Sequence, residues 1–156
     1  MHYIEEIRDG LIAADSANAS EYQANFSEYK DRLTKLDLDI ASTLNTVDPA
    51  RRHLVTFHDA FGHLATRYGW RATSLVDHDA GEVSPGAVVE ILEQVKAEGL
   101  TAVFAEPQFE SGLLKEAANE AGVEIGIIYA DVQDGDAATY IDMMSFNAKN
   151  LARLLR

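Results

Sequence analysis

Four short apolar runs constrain this chain more than anything else in it. Residues 54–57, 71–76, 101–105 and 124–129 each end at a polar position, and each is followed by a helical pattern. After the first run come Phe61, Leu64, Ala65 and Tyr68 at helical spacing, closed by Gly69. After the second, Ser84-Pro85 offers an N-cap with Pro at the first helical position. Val88, Val89, Leu92 and Val95 then carry the helix to Glu98-Gly99. A helix over about 111–120 closes at Ala121-Gly122, and a last one carries Tyr140, Met143, Met144, Asn147, Leu151 and Leu154. Strands that alternate with helices must pair in parallel, through right-handed crossovers. Short, continuous apolar strands fit burial on both faces. The reading is an α/β fold: a parallel sheet of about four strands, flanked by helices.

What precedes this lobe is helical. Residues 3–13 predict a short amphipathic helix with Ile4, Ile7, Leu11 and Ile12 on one face. Asp15, Ser16 and Asn18 interrupt it. From 21 to 44, Tyr22, Phe26, Tyr29, Leu33, Leu36, Ile40 and Leu44 recur at steps of three and four, with no breaker among them. Such a helix is roughly 35 Å long, more than a small lobe needs to cover one sheet face. It is either one arm of a hairpin packed on the core or a strut reaching toward something else. Val47-Asp48-Pro49 ends it. The division expected is a helical segment over 1–46 and an α/β lobe over 47–156.

Composition excludes more than it selects. With 26 acidic against 13 basic residues, the net charge is −13, which argues against nucleic acid and anionic membrane surfaces as partners. The absence of cysteine excludes disulfides, thiolate metal sites and cysteine nucleophiles. No apolar run approaches the ~20 residues of a membrane span. The acidic, helix-like start does not read as a signal peptide.

In a parallel sheet all strand carboxyl ends lie on one edge, where ligands bind. That edge collects His58 and Asp59, then Asp77, His78 and Asp79, then Glu106, then Asp131. Imidazole and carboxylate without thiolate suit Zn²⁺ or Mn²⁺. Asp59 reads as a cap of the helix behind it, and spacing alone does not single out His58 as a ligand. His53 opens a strand and reads as a packed or surface residue. His63 does not share a helical face with His58, and His2 has no context. His78 reads as part of a solvated loop. There is no phosphate-binding glycine loop, no dinucleotide fingerprint, no Gly-x-Ser-x-Gly elbow and no His-Glu-x-x-His.

Several stretches nevertheless resemble a known family. Val55-Thr-Phe-His58-Asp-Ala-Phe61, followed by Arg67-Tyr-Gly69, looks like the C-terminal lobe of the zinc/manganese solute-binding proteins of ABC transporters, also called the adhesin lipoprotein family. Glu82-Val-Ser-Pro85, Ala102-Val-Phe-Ala-Glu106-Pro-Gln-Phe109, Ile128-Tyr-Ala-Asp131 and Thr139-Tyr-Ile-Asp-Met-Met144 with Asn147 continue the likeness in order. The resemblance implies a non-enzymatic binding lobe outside the cytoplasm, working with a membrane permease. It makes residues 20–45 the long helix connecting two lobes. It makes His58 and Asp131 metal ligands and gives Glu106 the role of orienting a ligand from behind. Zn²⁺ is the expected cargo, with Mn²⁺ as the other candidate.

The family's N-terminal lobe, with its two histidine ligands, has no counterpart in these residues, nor has its lipoprotein signal. The expectation is therefore a C-terminal piece that folds, binds metal weakly, and self-associates through apolar surface on its first two helices. Two readings compete: a small metal-dependent α/β hydrolase on the same edge, and a receiver-like regulatory domain with an acidic Mg²⁺ pocket.

Overall fold

The structure is a computed structural model that describes residues 1–76, 85–107, 112–131 and 135–156. It divides into two compact units, Met1–Asp39 and Ile40–Arg156.

The first unit holds α1 (His2–Ala14), a 3-10 turn at Ser16–Asn18, and most of α2 (Ala19–Leu44). Asp15 organises the turn. Its carboxylate accepts from the Asn18 amide at 2.8 Å and the Tyr22 hydroxyl at 2.9 Å. Those bonds, Asn18 first, hold it below the ordinary carboxylate range. Phe26 on α2 receives the Arg8 guanidinium over its ring at 4.3 Å, and Lys30 lies 3.7 Å from Glu5. This stacking corrects the expected face of α1. Ile4, Arg8 and Ile12 are half-buried, whereas Tyr3, Ile7 and Leu11 are exposed. A long cationic side chain covers the aromatic ring by its flat face, so the inward stripe is set by Arg8 and not by apolar count alone.

The second unit is the α/β lobe. Its strands are β1 (His53–His58), β2 (Arg71–Val76), β3 (Ala102–Ala105) and β4 (Glu124–Ile127). Its helices are α3 (Gly62–Tyr68), α4 (Pro85–Ala97), α5 (Gly112–Ala121) and α6 (Tyr140–Leu155). The four strands are all parallel, in the order β2-β1-β3-β4. The path steps one way from β1 to β2, then the other way to β3 and β4. With right-handed crossovers this puts α3 on one face of the sheet and α4 with α5 on the other. The core is as apolar as the strand pattern requires: Leu54, Val55, Phe104, Val88, Val95, Ile128, Leu151 and Leu155 are all essentially inaccessible to water.

Gly126 in β4 is fixed by packing. A Cβ there would stand 2.5 Å from both Leu154 Cδ1 and Phe104 Cε1, so α6 lies against β4 only because that position has no side chain.

Helix ends differ from expectation in one informative place. The helix after β1 starts at Gly62 with Phe61 at the N-cap position, and Phe61 makes no side-chain cap bond. Asp59 is therefore not the N-cap residue. The turn His58–Phe61 intervenes, closed by the Ala60 N–H bonding the His58 carbonyl at 3.1 Å. By contrast α6 is capped as a Thr-x-x-Asp start should be. The Thr139 hydroxyl accepts from the Asp142 N–H at 3.1 Å and donates to the Asp142 carboxylate at 2.6 Å. Asp77, His78, Asp79, Glu82, Ser84, Gln108, Phe109 and Ser111 lie outside the described residues.

Candidate metal centre

The strand order decides which strand-end residues can meet. The direction of winding reverses between β1 and β3, and in open parallel sheets that reversal opens a crevice at the carboxyl edge. Thr56 pairs with Phe104 across this junction. Two residues further along each strand stand His58 and Glu106, at matching positions on the same edge.

The structure brings these two into contact. Glu106 Oε2 lies 2.9 Å and Oε1 3.0 Å from His58 Nδ1. An ionised carboxylate only accepts, so this bond needs the proton on Nδ1, which in the neutral ring leaves the lone pair on Nε2. Glu106 is only 1% exposed, while the His58 side chain keeps 25% of its surface accessible. An inaccessible carboxylate thus holds a partly accessible imidazole in the one tautomer whose outer nitrogen can bind a cation. The backbone behind the ring is also fixed, since the Thr56 hydroxyl donates to the His58 carbonyl at 2.9 Å.

Asp131 reaches the same edge from β4. The last ladder residue, Ile127, pairs with Ala105, and the chain continues through Ile128, Tyr129 and Ala130 to an exposed Asp131. Asp59 is exposed at the turn after β1. Among the described residues no group of three His, Asp or Glu side chains is placed to hold a metal ion. His58 with Asp131 makes at most part of a site, since a closed tetrahedral zinc site takes four ligands.

Of the other histidines, His2 is exposed, 3.7 Å from Glu6, and His63 is exposed on α3. His53 is the packed one of the two alternatives expected for it. It is 2% exposed at the opposite edge of the sheet, with its Nδ1 2.6 Å from Glu98 Oε2 and its Nε2 2.8 Å from the Thr73 hydroxyl. Arg71 donates to the same Glu98 oxygen at 2.8 Å, and Gln94 to the other at 3.1 Å. The His53 bond, then the Gln94 bond, pull the Glu98 carboxyl down to about 2. Both nitrogens of this ring serve the fold, so it is not a ligand. The α6 residues Asn147 and Asn150 were missed: they bond the backbone of Tyr129 and Ile127. The available signal was an Asn within the apolar stripe Met143, Asn147, Leu151, Leu154.

Comparison with known proteins gives the family. A manganese-binding lipoprotein, MntA of Halalkalibacterium halodurans, is 31% identical over 154 residues, which are 94% of this chain and 51% of that protein. The high-affinity zinc uptake system protein ZnuA of Brucella abortus is 29% identical over 156 residues, which are 97% of this chain and 44% of that protein. The solved structure of a manganese-bound periplasmic metal-binding protein from candidatus Liberibacter asiaticus superposes with a TM-score of 0.83 at 27% identity. That superposition covers 99% of this chain and 59% of the other. The chain therefore spans about half the length of the curated relatives it matches. The family model described as the periplasmic zinc-uptake complex component A, ZnuA, matches residues 1–154, and this chain belongs to that family.

Proposed function

We propose that this chain is one metal-binding lobe of an extracytoplasmic solute-binding protein that hands zinc or manganese to an ABC-type permease. The observation that carries the reading is the His58–Glu106 pair at the winding reversal, one nitrogen fixed by a buried carboxylate and the ring partly open to solvent. His58 and Asp131 supply two ligands, and Glu106 sets the orientation and basicity of His58. The remaining coordination positions come from beyond these two side chains, so the lobe alone holds its ion weakly. Neutral imidazole with carboxylate accepts several first-row dications, and the relatives' names divide between manganese and zinc. The imidazole tilts the choice toward zinc.

No helix among the described residues is long and apolar enough to cross a membrane. The exposed side chains Tyr3, Ile7 and Leu11 form an apolar row on α1, which favours burial against another copy or against the other lobe of a longer protein. Neither competing reading gains support, since the family is a transport family.

The test is a Zn²⁺ and Mn²⁺ titration of chelator-stripped protein, comparing the unmodified chain with His58→Ala and Asp131→Ala. Binding that weakens in both variants supports the half-site. Binding that neither substitution touches places the ion elsewhere and refutes the reading.

A further inference from the structure

Among the described residues, no strand is paired with the chain beyond Ile128. The last backbone bond described between β4 and β3 runs from the Ile128 N–H to the Ala105 carbonyl at 3.2 Å. From there the chain is held from the side by α6. The Asn147 carboxamide makes both of the bonds that a neighbouring strand would make at Tyr129: its Oδ1 accepts from the Tyr129 N–H at 3.0 Å, and its Nδ2 donates to the Tyr129 carbonyl at 2.8 Å. Asn147 is only 1% exposed, so water does not compete for those bonds. The Phe146 ring meets the Tyr129 ring edge-on, with centroids 5.1 Å apart. Tyr129 is thus the last firmly anchored residue before Asp131, two positions on.

We propose that Asn147 is a positioning residue for metal capture: its two-point clamp on the Tyr129 peptide fixes where Asp131 stands at the carboxyl edge. This rests on the reading of His58 and Asp131 as ligands. The alternative role is sealing the edge of β4 against stray pairing. Asn150 provides the contrast, because it donates to the Ile127 carbonyl at 2.6 Å. Ile127, the last ladder residue, is still paired with Ala105 of β3, whereas Tyr129 lies past the ladder. An edge seal needs Asn147 and Asn150 alike, whereas Asp131 needs Asn147 alone.

A mutant cycle separates the two roles. Zn²⁺ affinity is measured by competition with a chromophoric chelator for the unmodified chain, Asn147→Ala, Asn150→Ala, Asp131→Ala and the Asn147→Ala/Asp131→Ala pair. Circular dichroism first confirms that each is folded, and Asn147→Ser replaces the alanine variant if that one is not. The expected result is a roughly tenfold loss in Asn147→Ala, the size typical of residues that orient a ligand. Asn150→Ala retains its affinity, and Asn147→Ala adds no further loss once Asp131 is gone. Amide exchange in the metal-free chain speeds up at Ala130 and Asp131 in Asn147→Ala but stays unchanged at His58. Unchanged Zn²⁺ affinity in Asn147→Ala, or an equal loss with and without Asp131, overturns the inference. If Asp131→Ala itself leaves Zn²⁺ affinity intact, the half-site reading fails first and the inference falls with it.

Discussion

Replacing Glu106 by Gln changes one atom of a buried side chain and asks what the carboxylate does for His58. Both Glu106 oxygens lie within 3.0 Å of His58 Nδ1, and Glu106 is 1% exposed. With a neutral ring, an ionised carboxylate admits one arrangement, with Nδ1–H donating and Nε2 carrying the lone pair. A carboxamide admits two. If its oxygen faces the ring, the tautomer is kept but the charge that makes Nε2 a better donor is lost. If its NH₂ faces the ring, Nδ1 becomes the acceptor and the proton moves to Nε2, where it blocks the metal. Both outcomes weaken binding.

Substitutions of this kind typically cost 10- to 100-fold in affinity, or about 1.4 to 2.7 kcal/mol. Folding stability should change less than binding. Gln keeps the volume and one hydrogen bond, and removing a buried charge relieves part of its desolvation. The assay is a competition titration with Zn²⁺, paired with urea denaturation of the metal-free protein. An affinity in Glu106→Gln equal to that of the unmodified chain would refute the argument. So would a loss of affinity that merely tracks a loss of folded protein.

Other predictions follow from the same structure. Gly126→Ala should destabilise the lobe by about 1–3 kcal/mol, because its Cβ would overlap Leu154 and Phe104, and denaturant midpoints measure this. Glu98 has a folded-state pKa of about 2 against 4.5 for the free side chain, so it stabilises the fold above about pH 4.5, and that contribution fades as pH falls toward 2. The full difference is about 3 kcal/mol, and with 23% of the Glu98 side chain exposed, screening reduces it to about 1–2 kcal/mol. Glu98→Gln should show a correspondingly flatter stability profile between pH 5 and 2.5, and identical profiles would contradict the assignment. Trp70 is buried, and its Nε1 has no hydrogen-bond partner among the described residues, so Trp70→Phe should cost under about 1 kcal/mol: relief of the orphan donor offsets lost packing. Ile7→Glu, on the exposed side of α1, should leave thermal stability nearly unchanged and shift any self-association toward monomer in analytical ultracentrifugation.

The strands were legible because buried parallel strands have no polar face to disguise them. Residues 54–57, 71–76 and 101–105 were placed within a residue or so of β1, β2 and β3. The residues 128 and 129 given to the fourth strand lie past its end, because the chain there turns from β3 to the side chains of α6. The contact of His58 with Glu106 could not be read from strand positions alone. It depends on β1 lying beside β3 and not beside β4, and four apolar runs carry no ordering; the family likeness gave Glu106 the role of orienting a ligand without saying which one. The face of α1 was misread because hydrophobic periodicity gives no weight to an arginine, yet Arg8 covers Phe26 as a large apolar side chain would. Asp59 was misread because an acid after a strand and before a helix looks like a cap. Only the geometry shows a three-residue turn between them.

The lobe carries two histidine–carboxylate pairs, one at each end of the same strand, and comparing them shows why residue type does not determine role. His53 and His58 bracket β1. Each is in contact with a glutamate, at 2.6 Å for Glu98 and 2.9 Å for Glu106. At the amino edge the imidazole is the inaccessible member, 3% exposed against 23% for its glutamate side chain, and Thr73 occupies the second nitrogen. At the carboxyl edge the order reverses: the glutamate is 1% exposed and the imidazole 25%. A buried ring with both nitrogens engaged can only tie strands and helix together. A buried carboxylate behind an accessible ring faces its partner's chemistry outward, at the carboxyl edge where the winding of the sheet reverses. The direction of the burial gradient across each pair therefore separates the structural histidine from the candidate ligand. That gradient comes from which edge of the sheet the fold leaves open.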